Sequence, residues 1–161
     1  MPVVLRELTK ADLPVVERWF AEPGPRRWLG DESWPRRLVN LAAHSAGRFA
    51  FAAVADDAIV GLVDVERYGD ARAAVALVVA PGQRRRGVGK AIVQTLRKQP
   101  ALASVAEFFG GVEAGNVAGA ALVCSAGFER VTEGPDDEGF TYFALRTDGR
   151  RPRDPWALPA T

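Results

Sequence analysis

The pattern of hydrophobic and polar positions predicts short strands that alternate with helices. Residues 3–8 alternate enough to form a first strand. Asp12 is placed to cap a helix that should run to Phe20. Prolines and glycines between residues 22 and 35 predict a loop, and a second helix should follow over residues 34–46.

Two apolar runs in the middle of the chain predict a β-hairpin. Residues 48–55 and 59–67 flank Asp56 and Asp57, a pair that suits a tight acidic turn. Another strand is predicted over residues 71–79. This part of the chain should therefore contribute three successive strands.

The second half of the chain continues the alternation. Apolar residues at helical spacing after position 87 predict an amphipathic helix that ends before Pro100. Residues 104–113 follow as a strand, and Asn116 can cap a further helix with Gly127 as its C′ residue. Two terminal strands are predicted to pair, residues 128–131 and 140–146. This order indicates a mixed α/β (α+β) sheet protein rather than a bundle or a sandwich.

Composition narrows the class of protein. With 161 residues, of which 48% are hydrophobic, the chain can build one core, and a net charge of +1 does not indicate binding to nucleic acid or a membrane. Cys124 is the single cysteine, which excludes an internal disulfide, and no metal site is predicted. No segment reaches about eighteen uninterrupted apolar residues, so we expect a soluble protein in the reducing cytoplasm.

A glycine-containing segment follows the predicted strand over residues 71–79. Its sequence, Arg84-Arg85-Arg86-Gly87-Val88-Gly89, opens the amphipathic helix, where backbone N–H groups and the helix dipole favour an anion. A dinucleotide fingerprint would need glycine at Ile92, and a Walker loop from Gly82 would need Lys and Ser/Thr at positions 88 and 89. Both nucleotide motifs are therefore excluded, and a turn with solvated arginines stays open as the alternative.

The same segment resembles the signature of the GNAT N-acetyltransferases, Gln/Arg-x-x-Gly-x-Gly/Ala after the fourth strand. The matching residues are Arg84, Gly87 and Gly89. A second family element, an Asn followed by a helix that ends in Gly-Phe, is matched by Asn116, Gly127 and Phe128. The resemblance covers residues 3–146 and implies one N-acetyltransferase domain over residues 1–146, with residues 147–161 as a tail rich in Pro and Arg.

The resemblance implies the fold and the co-substrate. The fold would be a central, mostly antiparallel sheet of about six to seven strands, splayed between the fourth and fifth and flanked by about four helices. Acetyl-CoA would lie in that opening, with its pantetheine arm along the fourth strand and its pyrophosphate on the loop. The residues implied in cofactor binding are Leu77, Val78, Val79, Arg84, Arg85, Arg86, Gly87, Val88, Gly89, Lys90 and Asn116.

The proton-transfer groups depart from the family pattern. Family members often carry a carboxylate on the fourth or fifth strand and a tyrosine on the following helix, whereas this chain has Ala74, Gly111 and Val123 at those places. Glu113 lies two residues beyond Gly111, on the same face of its strand, and is the predicted base. A solvated carboxylate is the alternative interpretation of Glu113.

Other polar groups stay open as candidates. Asp64 and Glu66 alternate on one face of the hairpin and form a second candidate pair, with surface solvation as the alternative. Cys124 is expected to pack. Nothing in the sequence places the phenols of Tyr68 and Tyr142 near the reacting sulfur.

The acceptor site is predicted in the first helices and the loop between them. Aromatic and acidic residues there would suit an amine, although tryptophans in helices also pack in cores. The substrate-site candidates are Trp28, Asp31, Glu32 and Trp34. The predicted reaction is acetyl transfer to a small primary amine (aminosugar, polyamine or amino-acid-like) by direct attack. Acetylation of proteins, an impaired acyl-CoA sensor and a homodimer stay open.

Overall fold

The computed structural model describes residues 2–23, 33–69 and 71–153. Within them, seven strands form one sheet that carries four α-helices. The strands are β1 (Val4–Glu7), β2 (Arg48–Ala55), β3 (Ala58–Tyr68), β4 (Arg72–Val79), β5 (Glu107–Glu113), β6 (Glu129–Arg130) and β7 (Phe140–Arg146). The helices are α1 (Leu13–Glu17), α2 (Trp34–His44), α3 (Val88–Leu96) and α4 (Val117–Ser125).

The sheet is mixed and mostly antiparallel, as predicted. Its strand order is β1-β2-β3-β4-β5-β7-β6, and only the β4–β5 pair is parallel. That pair is short, because it runs from Arg72–Glu107 to Ala74–Phe109 and stops there. A β-carbon at Gly110, the next residue of β5, would lie 2.8 Å from the Val75 carbonyl oxygen. Beyond it both strands continue, to Val79 and Glu113, without any further pair between these described segments, so the predicted splay between the fourth and fifth strands is confirmed.

Alternating side chains divide the core between the two faces of the sheet. On one face, Val63 and Ala73 belong to the cluster that includes Ile92 of α3, and partly buried residues of α4 pack against it. On the other face, Leu62 belongs to a cluster with Phe20 and with Leu38 of α2. The second face is thus covered by α1 and α2, and the first by α3 and α4.

Several predicted boundaries move by a few residues. The predicted strand 104–113 begins at Glu107, because a 3₁₀ turn (Pro100–Leu102) and a hydrogen bond from Val105 N–H to the Leu102 carbonyl (3.0 Å) occupy the preceding residues. The second helix ends at His44, and the strand predicted at 128–131 is only Glu129–Arg130.

Asp12 stands at the N-cap position of α1, but its carboxylate makes no capping hydrogen bond with that helix, contrary to the prediction. Its carboxylate accepts two hydrogen bonds from the Arg6 guanidinium, both 2.8 Å, and one from the Thr9 N–H at 2.9 Å. A 3₁₀ turn (Lys10–Asp12) therefore precedes α1. The helix predicted to reach Phe20 ends at Glu17 and continues as a second 3₁₀ turn (Arg18–Ala21).

The hairpin turn is confirmed. Asp56 and Asp57 connect β2 to β3 with φ of +50° and +62°, the left-handed conformations that a two-residue hairpin turn needs and that Asp tolerates. Past β7, Thr147 N–H donates to the Ala106 carbonyl at 2.9 Å, so the first residue of the predicted tail still extends the pairing of β5 with β7. Among the described residues, no helix is long and apolar enough to cross a lipid bilayer.

Candidate active site

An opening separates β4 from β5 beyond the Ala74–Phe109 pair. From there, residues 75–79 pair with β3 and residues 110–113 pair with β7, and these two described segments share no ladder pair. Their facing edges leave backbone groups that an extended ligand can pair with, as an added strand does. The predicted cofactor residues on the β4 side of this opening are Leu77, Val78 and Val79.

The arginine-rich loop ends at the N-terminus of α3. Gly87 begins that helix with φ of +75°, in the left-handed region, and has no side chain that could cap it. The N–H groups of the first turn therefore have no acceptor within the helix. The side chains around this end are exposed cations: Arg84, Arg85, Arg86 and Lys90. Free N–H groups, the helix dipole and four cations fit a diphosphate group.

The two glycines of the signature have different structural roles. Gly87 supplies the left-handed turn before α3. Gly89 is buried, and a β-carbon there would overlap the Leu122 side chain of α4. Gly89 therefore lets α3 and α4 approach each other closely at the edge of the opening.

Asn116 caps α4, as predicted. Its Oδ1 accepts a hydrogen bond from the Gly119 N–H at 2.9 Å, which leaves the amide nitrogen for any further contact. At the other end of α4, Gly127 has φ of +100°, and Phe128 N–H donates to the Val123 carbonyl at 3.0 Å. This is a Schellman ending, so the Asn and Gly-Phe positions of the second family element mark the two ends of one helix.

Carboxylates of β3 lie beside the first residues of β4. Glu66 is the cross-strand partner of Ala74, and Asp64 is the partner of Ala76. The Asp64 carboxylate binds the Arg48 guanidinium through two bonds of 2.9 and 3.0 Å, which raises the pKa of Arg48. Glu66 has one contact with Arg48 at 3.3 Å, and its side chain is 45% exposed, against 14% for Asp64. Glu66 is therefore the member of this pair that faces solvent.

Side chains from neighbouring strands pack against the Phe109 ring at the closed end of the opening. The Tyr68 ring of β3 lies 5.6 Å from the Phe109 ring of β5, and the Arg72 guanidinium lies 5.0 Å from the same ring. Glu107, 4% exposed, contacts Arg146 at 3.1 Å and Arg72 at 3.6 Å. These contacts join β3, β4, β5 and β7 just before β4 and β5 diverge.

The Tyr142 ring of β7 covers Gly111 of β5. The two residues are cross-strand partners, and a β-carbon at Gly111 would lie 3.2 Å from Tyr142 Cε1. Burial raises the pKa of the Tyr68 phenol, and the charges of Glu66 and Tyr142 raise it further. The Tyr142 phenol thus lies near enough for its charge to act on Tyr68.

The remaining predicted residues lie at different distances from this region. Glu113 is half-buried on the same face of β5 as Gly111, with Phe140 as its cross-strand partner. Trp34 packs with its ring 5.3 Å from Phe20, on the α1–α2 face. Cys124 is exposed, contrary to the packing role predicted for it. Three of the substrate-site candidates lie outside the described residues: Trp28, Asp31 and Glu32.

Sequence reasoning missed the contacts that join neighbouring strands on this face. No sequence signal identifies Arg48 as the partner of Asp64, and none places the two tyrosines beside the opening. The only signals were the alternation of polar residues over positions 64–68 and the small residues at Ala74 and Gly111. Neither signal identifies a contact without the register between the strands.

Comparison with known proteins agrees with this arrangement. Residues 13–128 match the profile of the acetyltransferase (GNAT) family. The uncharacterized N-acetyltransferase YfmK of Bacillus subtilis (strain 168) is 31% identical over 144 residues, which span 86% of this chain and 93% of that protein.

Solved structures share the fold at low sequence identity. The aminoglycoside acetyltransferase AAC(6')-Ib, in complex with coenzyme A and kanamycin, superimposes with a TM-score of 0.74 at 16% identity and covers 91% of this chain and 95% of its own. Spermidine N-acetyltransferase from Vibrio cholerae, in complex with CoA and spermine, gives a TM-score of 0.72 at 16% identity over 91% and 96% of the two chains. The chain therefore belongs to the acetyltransferase (GNAT) family and is an acetyl-CoA-dependent N-acetyltransferase.

Proposed function

We propose that this enzyme transfers the acetyl group of acetyl-CoA to a primary amine of a small molecule, such as an aminosugar, a polyamine or an amino-acid-like compound. The observation that carries the proposal is the opening between β4 and β5. The cationic N-terminus of α3 lies at one end of it, and the aromatic side chains of Tyr68 and Phe109 lie beside it. The aminoglycoside and spermidine enzymes of the same fold support small amines as the acceptor class.

The co-substrate would be bound mainly by backbone groups. In this proposal, residues 77–79 pair with the pantetheine arm, and one of their N–H groups polarises the thioester carbonyl. The N–H groups of residues 85–90 and the arginine side chains hold the pyrophosphate. The amide nitrogen of Asn116 contacts the pantetheine or supports the site, because its oxygen already caps α4.

Direct attack requires a neutral amine. An alkylammonium has a pKa about three units above neutral, so deprotonation costs roughly 4 kcal/mol at pH 7 and a base is expected. Glu113 stays our predicted base, since it lies on β5 beside the opening and on the same face as Gly111. Glu66 of β3 is a second carboxylate on that face, with a side chain that is 45% exposed.

An amine screen tests the proposed function. Purified protein is incubated with acetyl-CoA and with aminoglycosides, polyamines, amino acids or lysine-containing peptides, and release of the CoA thiol is followed. Turnover that depends on a small amine supports the proposal, whereas turnover with peptides alone would indicate a protein N-acetyltransferase. Binding of acetyl-CoA without turnover on any amine would indicate the sensor that Ala74, Gly111 and Val123 leave open.

A further inference from the structure

The ring of Tyr142 lies over β5, the strand that borders the opening. Tyr142 lies on β7, on the far side of β5 from β4, yet its ring edge reaches the space where a Gly111 side chain would be. A larger residue at position 111 would collide with the ring. The glycine therefore allows Tyr142 to extend across β5 toward the opening.

A second aromatic side chain lies at this end of the opening. Tyr68 approaches from the opposite side, from β3, and its ring passes over β4 to reach Phe109. The charges of Tyr142 and Glu66 both act on the Tyr68 phenol. The Tyr68 ring beside Phe109 and the Tyr142 ring over Gly111 therefore lie only two residues apart along β5, at the same end of the opening.

The level of Tyr142 along the opening matches the expected place of the thioester. Counted from the last shared pair, Ala74–Phe109, Gly111 of β5 is level with Ala76 of β4, one residue before Leu77. Residues 77–79 are those whose N–H groups would polarise the thioester carbonyl. Tyr142 thus stands opposite the segment proposed to bind the reacting end of the co-substrate.

We propose that Tyr142 donates its phenol proton to the sulfur of CoA as the thioester bond breaks, in the role that family members give to a tyrosine on the helix corresponding to α4. This inference rests on the proposed function. The amine nitrogen forms a bond to the acetyl carbon, and the carbon–sulfur bond breaks with its electron pair on sulfur, which takes the Tyr142 proton. The proton lost by nitrogen goes to the base and then to water, and water returns a proton to the Tyr142 phenolate.

The arrangement also accounts for Val123. The tyrosine position of the family pattern lies on α4, where this chain has a partly buried valine packed against the core on the α3–α4 face. Tyr142 supplies a phenol from the opposite face of the sheet. A phenol on β7 makes one on α4 unnecessary.

Binding of CoA and desulfo-CoA tests the proposal without any turnover. Dissociation constants for both ligands are measured by calorimetry in wild-type protein, in Tyr142→Phe and in Tyr68→Phe. These are the two tyrosines of the chain, so Tyr68→Phe removes the same hydroxyl group from the same face and is the matched control. Tyr142→Phe keeps the ring that packs on Gly111, so the fold should be retained.

We expect the preference for CoA over desulfo-CoA to fall by about three- to tenfold in Tyr142→Phe and to change less than twofold in Tyr68→Phe, as for the loss of one hydrogen bond. A preference that is unchanged in Tyr142→Phe, or that falls only in Tyr68→Phe, overturns the proposal. Because this comparison needs no amine, it tests the role of Tyr142 even if no acceptor is found and the proposed function fails.

Turnover gives a second readout where an acceptor has been found. Tyr142→Phe should lower kcat by about a hundredfold or more with acetyl-CoA while KM for the amine stays within about twofold. With acetyl-seleno-CoA the loss should shrink to less than about tenfold, because a selenolate is a weaker base and leaves without protonation. An equal loss with both donors would mean that Tyr142 has only a structural role.

Discussion

The ring of Tyr142 covers Gly111, where a β-carbon would come within 3.2 Å of Tyr142 Cε1. On the other side of the opening, Tyr68 reaches past Ala74 to contact Phe109. The two positions at which family members often carry carboxylates are therefore small residues, with the Tyr142 ring over Gly111 and the Tyr68 ring beside Phe109, the partner of Ala74. Where the family pattern has carboxylates, this chain thus has small residues with tyrosine phenols next to them.

The loop arginines are expected to bind the diphosphate of CoA. Replacing Arg84, Arg85 and Arg86 together with glutamine should weaken CoA binding by at least about tenfold, because three cations at a helix N-terminus are lost. Calorimetric titration measures the effect, which should diminish at high salt. Pantetheine, which lacks the diphosphate, should bind the variant and the wild type equally.

The other end of α3 provides the control for the loop arginines. Arg97 and Lys98 are exposed cations there, and replacing both with glutamine should leave CoA affinity within about twofold. If this control weakens CoA binding as much as the loop variant does, general charge rather than the loop attracts the ligand.

Glu113 is predicted to accept the amine proton. Glu113→Gln should lower kcat by about a hundredfold and alter the pH–rate profile, since an amide cannot take up the proton. Glu66→Gln is the matched control, because Glu66 is the exposed carboxylate of β3 on the same face. Unchanged turnover in Glu113→Gln removes its assignment, and a loss confined to Glu66→Gln moves the base to β3.

Gly110 is expected to keep the last contact between β4 and β5 tight. A methyl group there would lie 2.8 Å from the Val75 carbonyl oxygen, a backbone atom that cannot rotate away. Gly110→Ala should therefore lower the free energy of unfolding by about 1–3 kcal/mol in denaturant titrations. Gly134→Ala, on an open part of the surface, should stay within about 0.5 kcal/mol of wild type. Equal stability of the two variants would show that the strands tolerate a side chain at this point.

The Arg6–Asp12 pair is expected to stabilise the fold in a pH-dependent way. Hydrogen bonds from the Arg6 guanidinium lower the pKa of the Asp12 carboxyl below its unfolded value of about 4. The contribution is therefore complete above pH 4 and is lost as the pH falls through the folded pKa. Asp12→Asn should cost about 1–2 kcal/mol at pH 7, and that gap should narrow in unfolding titrations as the pH falls below about 4.

The exposed Asp137 provides the control for Asp12. Asp137→Asn should change the free energy of unfolding by less than about 0.5 kcal/mol at any of these pH values. A gap for Asp12→Asn that does not depend on pH would contradict the role of its charge.

Short-range sequence signals predict much of the fold. The acidic turn at Asp56 and Asp57, the cap at Asn116 and the left-handed glycine Gly127 are all found where short-range sequence signals place them. These features depend on residues a few positions apart. The opening between β4 and β5 followed from the family resemblance rather than from periodicity.

Contacts between strands distant in sequence could not be predicted from such local signals. Asp12 looked like a helix cap, but its carboxylate is held by Arg6, whose position depends on where β1 ends. The sequence indicates only a ligand-binding role for Gly89. The structure shows that its lack of a side chain also allows α3 to pack against Leu122. The position of Tyr142 over Gly111 required the β5–β7 register, which no pattern within either strand specifies.

Acetyl transfer to a small amine is the central claim, and a competition experiment tests it most directly. The enzyme is given limiting acetyl-CoA together with an equimolar mixture of an aminoglycoside, spermidine, amino acids and lysine-containing peptides, and the products are identified by mass spectrometry. The account predicts that one class of small amine carries nearly all of the transferred acetyl groups. Acetyl groups found on the peptides, or left on CoA while the enzyme is saturated with it, would contradict the account.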